Sequence, residues 1–401
     1  MFVTDKAAGA SALSGVLNLL NSIIGAGILA LPFAFKSAGL LVGIGYQIVF
    51  GFMTLYGIVL LLESLKFASV RSYEDLALCA LGRAGWYAYN FCSIFGGYGS
   101  CTGYLVIIGD ILPGLLPELG YVLSRESLMC AVSVVLIFPL CALPEFSALQ
   151  YASGLAVAIY VCFTAAIVQL YFQGDGSSEP LDPPPSMFRE DFGAFISVAP
   201  LSAFAYQCLT TLFPIYQELA VATPARMTLI SAIALGTAGV IYSSVGAAAY
   251  MHFGEATQGD VLLNLESIGS PTIRIMRFSF GISICFTYPT MHFACRRSLD
   301  QLLFHSKEGH TPYLRLLALT VLIVSSTLWL ALYFQKVEVV FGYAGAIAST
   351  SLLFILPPAI ALSLHPHKPW YNYLFLLAGL ACGILGLLQQ LAEDVQSGGE
   401  S

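Results

Sequence analysis

The sequence predicts an all-α membrane protein built from eleven transmembrane helices, and three observations carry that prediction. Of its 401 residues 58% are hydrophobic and only 10% are charged, whereas a soluble domain is roughly a quarter charged. The apolar residues fall in runs of 18 or more, long enough to cross about 30 Å of hydrocarbon as helix. The runs are also too long and too uniformly apolar for barrel strands, and in lipid the backbone must bond to itself. A soluble enzyme, a disordered chain and a nucleic-acid binder are excluded on these grounds.

The spans fall at about 11–35, 40–64, 88–113, 124–143, 148–172, 192–217, 226–251, 271–295, 313–335, 340–364 and 370–391. The fourth and fifth nearly touch, at Pro139–Pro144. The first follows a short tail and is uncharged from Ala7 to Phe35. That exceeds a signal-peptide core of roughly 7–15 residues, so it reads as a span and not a cleaved leader. An acidic, Pro-rich segment, Gly174–Ser186, divides the chain with five spans before it and six after.

Placing the N-terminus in the cytosol puts Lys6, Lys66, Arg71, Arg83, Arg226, Arg296, Arg297, Lys307, Arg315 and Lys368 inside. Lys36, Arg125, Arg189, Arg274, Arg277 and Lys336 then lie outside, completing the 16 Lys+Arg. The positive-inside bias favours that orientation. Arg274 and Arg277, near the outer end of the eighth span, are expected to snorkel outward. The net charge is −7 with no basic block, so nothing indicates nucleic acid or a polybasic lipid anchor. The ten cysteines are scattered without C-x-x-C pairs, which suits buried small hydrophobes better than disulfides or zinc. No cofactor and no obligate protein partner is indicated; the expected surroundings are a lipid bilayer.

The first span contains Gly25-Ala26-Gly27 and then Pro32, each unfavourable in a continuous helix. Freed backbone groups at membrane depth are tolerated where they line a cavity or pack in protein. A half-helix N-terminus there would suit a carboxylate. Close helix packing through small residues is the other reading of the same glycines. The sixth span, Ala199–Leu219, is bracketed by Pro200 and Pro214 around a small, polar centre. Interrupted helices at corresponding places in two halves point to a transporter site.

The stretch NSIIGAGILALPFAFKSAG (Asn21–Gly39) resembles the opening of the amino acid/auxin permease family, in the amino acid-polyamine-organocation superfamily. That family includes sodium-coupled neutral amino-acid transporters and vacuolar amino-acid transporters. Four further segments agree in order: GYLVIIGDILPGL (Gly103–Leu115), FPIYQEL (Phe213–Leu219), FGEATQGDVLLNL (Phe253–Leu265) and ASTSLLFILPP (Ala348–Pro358). The resemblance implies a LeuT-like fold of two inverted five-helix repeats plus one extra C-terminal helix. The corresponding divisions are a cytosolic tail at 1–10, repeats at 11–172 and 192–364, an outer or lumenal loop at 173–191, and the eleventh helix with its tail at 365–401.

It also implies secondary active transport of an amino acid. Amides of Gly25, Ala26 and Gly27 would bind the substrate carboxylate, and carbonyls around Phe204, Ala205 and Tyr206 its ammonium. Tyr98, Cys101 and Tyr104 either line the pocket or simply pack. In sodium-coupled members an Asn of the first span and a Thr of the eighth help hold the cation. Asn21 and Thr287 stand at the matching places, with Ile24 and Ser283 as further oxygen donors. Oxygen ligands suit a hard cation, but Asn21 equally suits an interhelical hydrogen bond and Thr287 a bond back to its own helix. Sodium and proton both remain open as the coupling ion; a proton would have to use Asp110, His292 or a carboxylate at a span end. Where relatives often carry a Gln/Asn-rich run, this chain has Leu209-Thr210-Thr211, so a relative's substrate preference does not transfer. A passive channel or an amino-acid receptor on the same fold are the alternatives; no catalytic motif points to an enzyme. Plasma membrane and vacuolar or lysosomal membrane both satisfy this topology.

Overall fold

A computed structural model describes residues 10–68, 70–114, 124–143, 152–173, 183–189, 192–266, 268, 270–304 and 312–398. All regular structure in them is helical apart from one isolated bridge between Ala10 and Leu219. The first span is split. Helix α1 (Ala12–Ile24) is capped by the Ser11 side chain, which accepts from the Ser14 amide. It stops at Gly25, whose φ of 35° and ψ of −145° leave the helical region. Helix α2 (Gly27–Ala38) starts without a side-chain cap, and the two halves are bent by 54°.

Helix α3 (Leu40–Ser64) follows a tight turn at Gly39. Helix α4 (Tyr73–Ile111) is interrupted at Gly82, with φ 66°, so its membrane portion begins later than its first residue. Helices α5 (Arg125–Val132) and α6 (Phe138–Cys141) are joined by a wide π-type turn at Ser133–Ile137. The remaining described part of the first half is α7 (Ala152–Gln173).

The sixth span is also split, into α8 (Phe192–Ala205) and α9 (Leu209–Glu218), around Tyr206-Gln207-Cys208. Then come α10 (Pro224–Phe253), the short α11 (Val261–Glu266), α12 (Pro271–Phe304), α13 (Tyr313–Tyr333), α14 (Val337–Ala344), two further π-type turns at Gly345–Ser349 and Ser351–Ile355, α15 (Leu356–Leu364) and α16 (Trp370–Gly398).

Among the described residues eight helices are long and apolar enough to cross a membrane, and nine if the bent pair α1–α2 counts as one. Every one of the eleven expected segments is helical, but two fall outside that count. The α5–α6 stretch is short within the described residues, and α12 carries the polar run Thr287–His292 at its middle. The split at Pro139–Pro144 borders residues outside the described set.

Burial orders the helices from centre to rim. The apolar stretch of α8–α9 is 72% buried, against 22% for α16. The broken sixth span is therefore the axis and the last helix a lipid-facing staff. Phe52, Phe172, Val240 and Leu314 are each more than half exposed, which would be costly in water and is not in hydrocarbon. Two packing groups meet at the axis. Helix α10 packs along α1, α2 and α3, while α4 packs along α12, α13 and α14.

Candidate functional site

The two breaks touch. A Cβ on Gly27 would lie 3.0 Å from the Ala205 Cα, so a side chain there would press α2 away from the end of α8. Gly25 is constrained twice, by its positive φ and by the Tyr104 hydroxyl, 3.2 Å from where its Cβ would stand. That hydroxyl also lies beside the Ala26 amide. Tyr104 is thus the residue of the third span at the break. Tyr98 instead bonds Ser326 on α13 at 2.5 Å, and Cys101 is buried facing Tyr288 on α12.

One residue that sequence reasoning missed joins the two half-helix ends. The Tyr242 hydroxyl of α10 lies 2.7 Å from the Ile23 carbonyl, 2.7 Å from the Ala205 carbonyl and 3.4 Å from the Ile24 carbonyl. A phenol has one proton to donate. The final carbonyls of α1 and α8 therefore share a single donor, leaving acceptor capacity for a cationic group. A tyrosine in an apolar helix has no local signature, so only tertiary packing reveals this role.

Phe204 points its ring at Phe341, stacked at 4.2 Å between centroids, with Gly103 leaving room for that ring. Tyr206 donates to the Gln47 carbonyl at 2.9 Å and lies edge-on to Tyr242. The break in α8–α9 opens at Tyr206–Cys208, just beyond the expected centre at Phe204–Tyr206.

A cavity of about 870 Å³ approaches the breaks from the end of the bundle where α1 begins and α9 ends. Asn21, Ser22, Ser153, Thr211, Ser283 and Thr287 line it, together with the charged residues Arg71, Glu74, Asp75, Glu218, Arg296, Arg297 and Asp300. The Ser22 and Thr211 hydroxyls are 2.7 Å apart and close the gap between α1 and α9. Of the expected cation donors, Asn21, Ser283 and Thr287 share this wall, whereas Ile24 is not on it. Thr287 donates back to the Ser283 carbonyl at 2.8 Å, and Asn21 donates to Ser153 at 3.4 Å. The Asn21 Oδ1 atom is buried with no hydrogen-bond partner among the described residues, and the Tyr160 hydroxyl is within hydrogen-bonding reach of Ser283 and Thr287. Oxygen donors of this kind suit a hard cation. No group of three or more His, Cys, Asp or Glu among the described residues could hold a metal ion.

Several charged residues near the helix ends are paired. Glu74 accepts from Arg297 at 2.7 Å and from Gln301 at 3.0 Å. Arg277 does not snorkel. It is 3% exposed and turns inward to Glu266 at 3.0 Å and the Asp110 carbonyl at 3.5 Å, because α11 folds back and brings it a carboxylate. His292 is buried, with Nε2 unpartnered.

A helical membrane bundle with two abutting broken helices and a cavity leading toward them is the layout of a LeuT-like fold. Solved structures agree on the fold. MhsT in complex with L-phenylalanine has a TM-score of 0.59 at 13% identity, covering 96% of this chain and 98% of that one. An Eremococcus coleocola manganese transporter has a TM-score of 0.58 at 10% identity, covering 94% and 85%. Residues 8–390 match the family described as transmembrane amino acid transporter protein, and the chain belongs to that family, the amino acid/auxin permeases.

It is 30% identical over 385 residues to the amino acid transporter AVT6E of Arabidopsis thaliana, covering 89% of this chain and 76% of the relative. It is 28% identical to the putative sodium-coupled neutral amino acid transporter 11 of Danio rerio, covering 98% and 90%. Solute carrier family 38 member 10 of Mus musculus is 29% identical, and there the chain spans only 33% of the relative's length. The relatives are transporters and not enzymes.

Proposed function

We propose that the protein is a secondary active amino-acid transporter, coupled to sodium or protons, that alternates access to a midplane site at the two breaks. The observation that supports this most is the contact of Gly27 with Ala205 under the shared Tyr242 hydroxyl. An amino acid carries one charge of each sign. The amides opening α2 supply donors for its carboxylate, and the carbonyls ending α1 and α8 supply acceptors for its ammonium. No buried side-chain charge is then needed.

Asn21, Ser283 and Thr287, on the cavity wall below, are the residues that would hold a coupling cation. In this reading the chain has eleven spans, with five-helix repeats at 11–172 and 192–364 and an extra helix in 365–401. The N-terminus is cytosolic, the membrane is the plasma membrane or a vacuolar or lysosomal one, and the cavity faces the cytosol. The group containing α1, α2, α3, α8, α9 and α10 rocks against the group containing α4 and α12. Uptake of an amino-acid panel into proteoliposomes under imposed sodium or pH gradients tests this. Equilibration only down the substrate's own gradient, whichever ion gradient is imposed, would make the protein a passive channel.

A further inference from the structure

The segment Phe253–Leu265 plays no part in the site above, yet it folds over the end of the bundle opposite the cavity. Asn264 shapes it, accepting from the Gln258 amide at 2.8 Å and donating to the Ala256 carbonyl at 2.8 Å. Lys36, at the end of α2, donates to the Thr257 carbonyl at 3.1 Å. The fold turns Asp260 inward until it is only 2% exposed. Its Oδ1 accepts from the Leu262 amide at 2.8 Å. Its Oδ2 is enclosed with no hydrogen-bond partner among the described residues.

The charges around Asp260 do not balance. Asp110 of α4 is paired with Arg125 of α5 at 2.9 Å, and Arg277 of α12 with Glu266 of α11 at 3.0 Å. Both arginines are thus committed. Glu338 of α14 presses its carboxylate on Gly259, where any Cβ would collide with it. Asp260 and Glu338 have no ion pair among the described residues; Lys36 and Lys336 are the cations that act on Glu338, and Arg277 the one that acts on Asp260. A fully enclosed carboxylate with a second, half-buried carboxylate packed on the preceding residue cannot ionise cheaply. Burial first, then the negative charges of Asp110 and Glu338, hold the Asp260 carboxyl well above the usual carboxylate range.

We propose that Asp260 and Glu338 form a proton-binding site that seals the end of the bundle opposite the cavity. When that end opens, water reaches both groups and the proton leaves to the same side. When it closes, one proton is taken up to neutralise the pair. Acid on that side therefore favours the conformation whose cavity opens to the other side. The site stands on geometry; its effect on transport rests on the alternating-access reading given above.

The test has two arms, both with purified full-length protein. The first is thermal unfolding of wild type, Asp260→Asn and Glu338→Gln from pH 5 to pH 8. A carboxyl whose folded-state proton affinity is raised above its unfolded value of 3.8 favours the fold when protonated. It loses that contribution as pH climbs from the unfolded value toward the folded one. Wild type should lose stability over this range relative to Asp260→Asn, so the gap in melting temperature widens with pH. A gap that stays constant with pH for both variants overturns the proposal, and Glu338→Gln decides it if Asp260→Asn does not fold.

The second arm is amino-acid counterflow in oriented proteoliposomes, varying pH on the closed side. The wild-type rate should fall with rising pH, by up to about tenfold per unit above the site's proton affinity, and both variants should flatten that slope. Variants that keep the wild-type slope overturn the coupling to closure. Absence of counterflow for every amino acid sinks the transporter reading instead, and the melting gap then decides the proton site alone.

Discussion

The two ends of the bundle solve the same problem in opposite ways. At the end where α1 begins, hydroxyls and amides share an open cavity with charged groups, and its buried carboxylates have arginine partners, Glu74 with Arg297 and Asp300 with Arg315. At the other end Asp260, in the α10–α11 connection, is enclosed near Arg277 with no ion pair among the described residues, and the half-buried carboxylates of Asp110 on α4 and Glu338 on α14 act on it. Neutral oxygens can be wetted or bound without a change of charge, so they suit a vestibule that stays open to ligand. Enclosed carboxylates need a counter-charge or a proton whenever the end closes. Under the proposals above, ligand handling belongs to one end and the closure condition to the other, with the breaks at Gly25 and Tyr206 between them.

Four substitutions would break or sharpen that comparison. The largest effect is expected for Gly25→Leu, because the side chain meets both a positive φ and the Tyr104 hydroxyl. Uptake should drop about 100-fold or more at equal surface amount, as misplacement near a binding centre does; normal uptake would remove the breaks from the site. Tyr242→Phe comes next. Losing the one donor shared by two helix-end carbonyls should cost about 1–2 kcal/mol, a roughly tenfold rise in KM for the amino acid with Vmax little changed. Unchanged KM with a fall in Vmax alone would leave Tyr242 a packing residue. Thr287→Ala should raise the half-saturating concentration of the driving cation about threefold to tenfold, the scale of one lost oxygen contact. An unaltered ion dependence would clear the cavity wall of that task. The smallest effect is expected for Tyr98→Phe, which loses only the contact with Ser326. Transport should change by less than about twofold while melting falls slightly, and a large change in substrate preference would return Tyr98 to the pocket.

Much of the helical architecture was legible in local sequence. Gly25 and Gly27, with Pro32 beyond them, marked the first break because no tertiary contact is needed to make such a segment a poor helix. The second break was visible as Pro200 and Pro214, yet its opening falls at Tyr206–Cys208, between the prolines, where neither residue acts directly. The helix with Thr287 and His292 at its middle looks like a span by position and too polar by composition. Its polar groups face the cavity and neighbouring helices instead of lipid, and hydropathy does not register facing. Arg277 shows the same limit. Near a span end a lone arginine reads as snorkelling, and only the return of α11 supplies the carboxylate that holds it inward.

By itself the sequence determined the solvent, most of the helices and the first place where they break, since these follow from hydrocarbon thickness, backbone self-satisfaction and the poor helix propensity of glycine and proline. Only the tertiary structure decided what meets at those breaks. Tyr242 reaches Ile23 and Ala205 from 219 and 37 residues away, and Asp260 loses water because Glu338 and Lys36 close over its segment. Hydrogen bonding and desolvation act over a few ångströms in space, and distance along the chain carries no record of that.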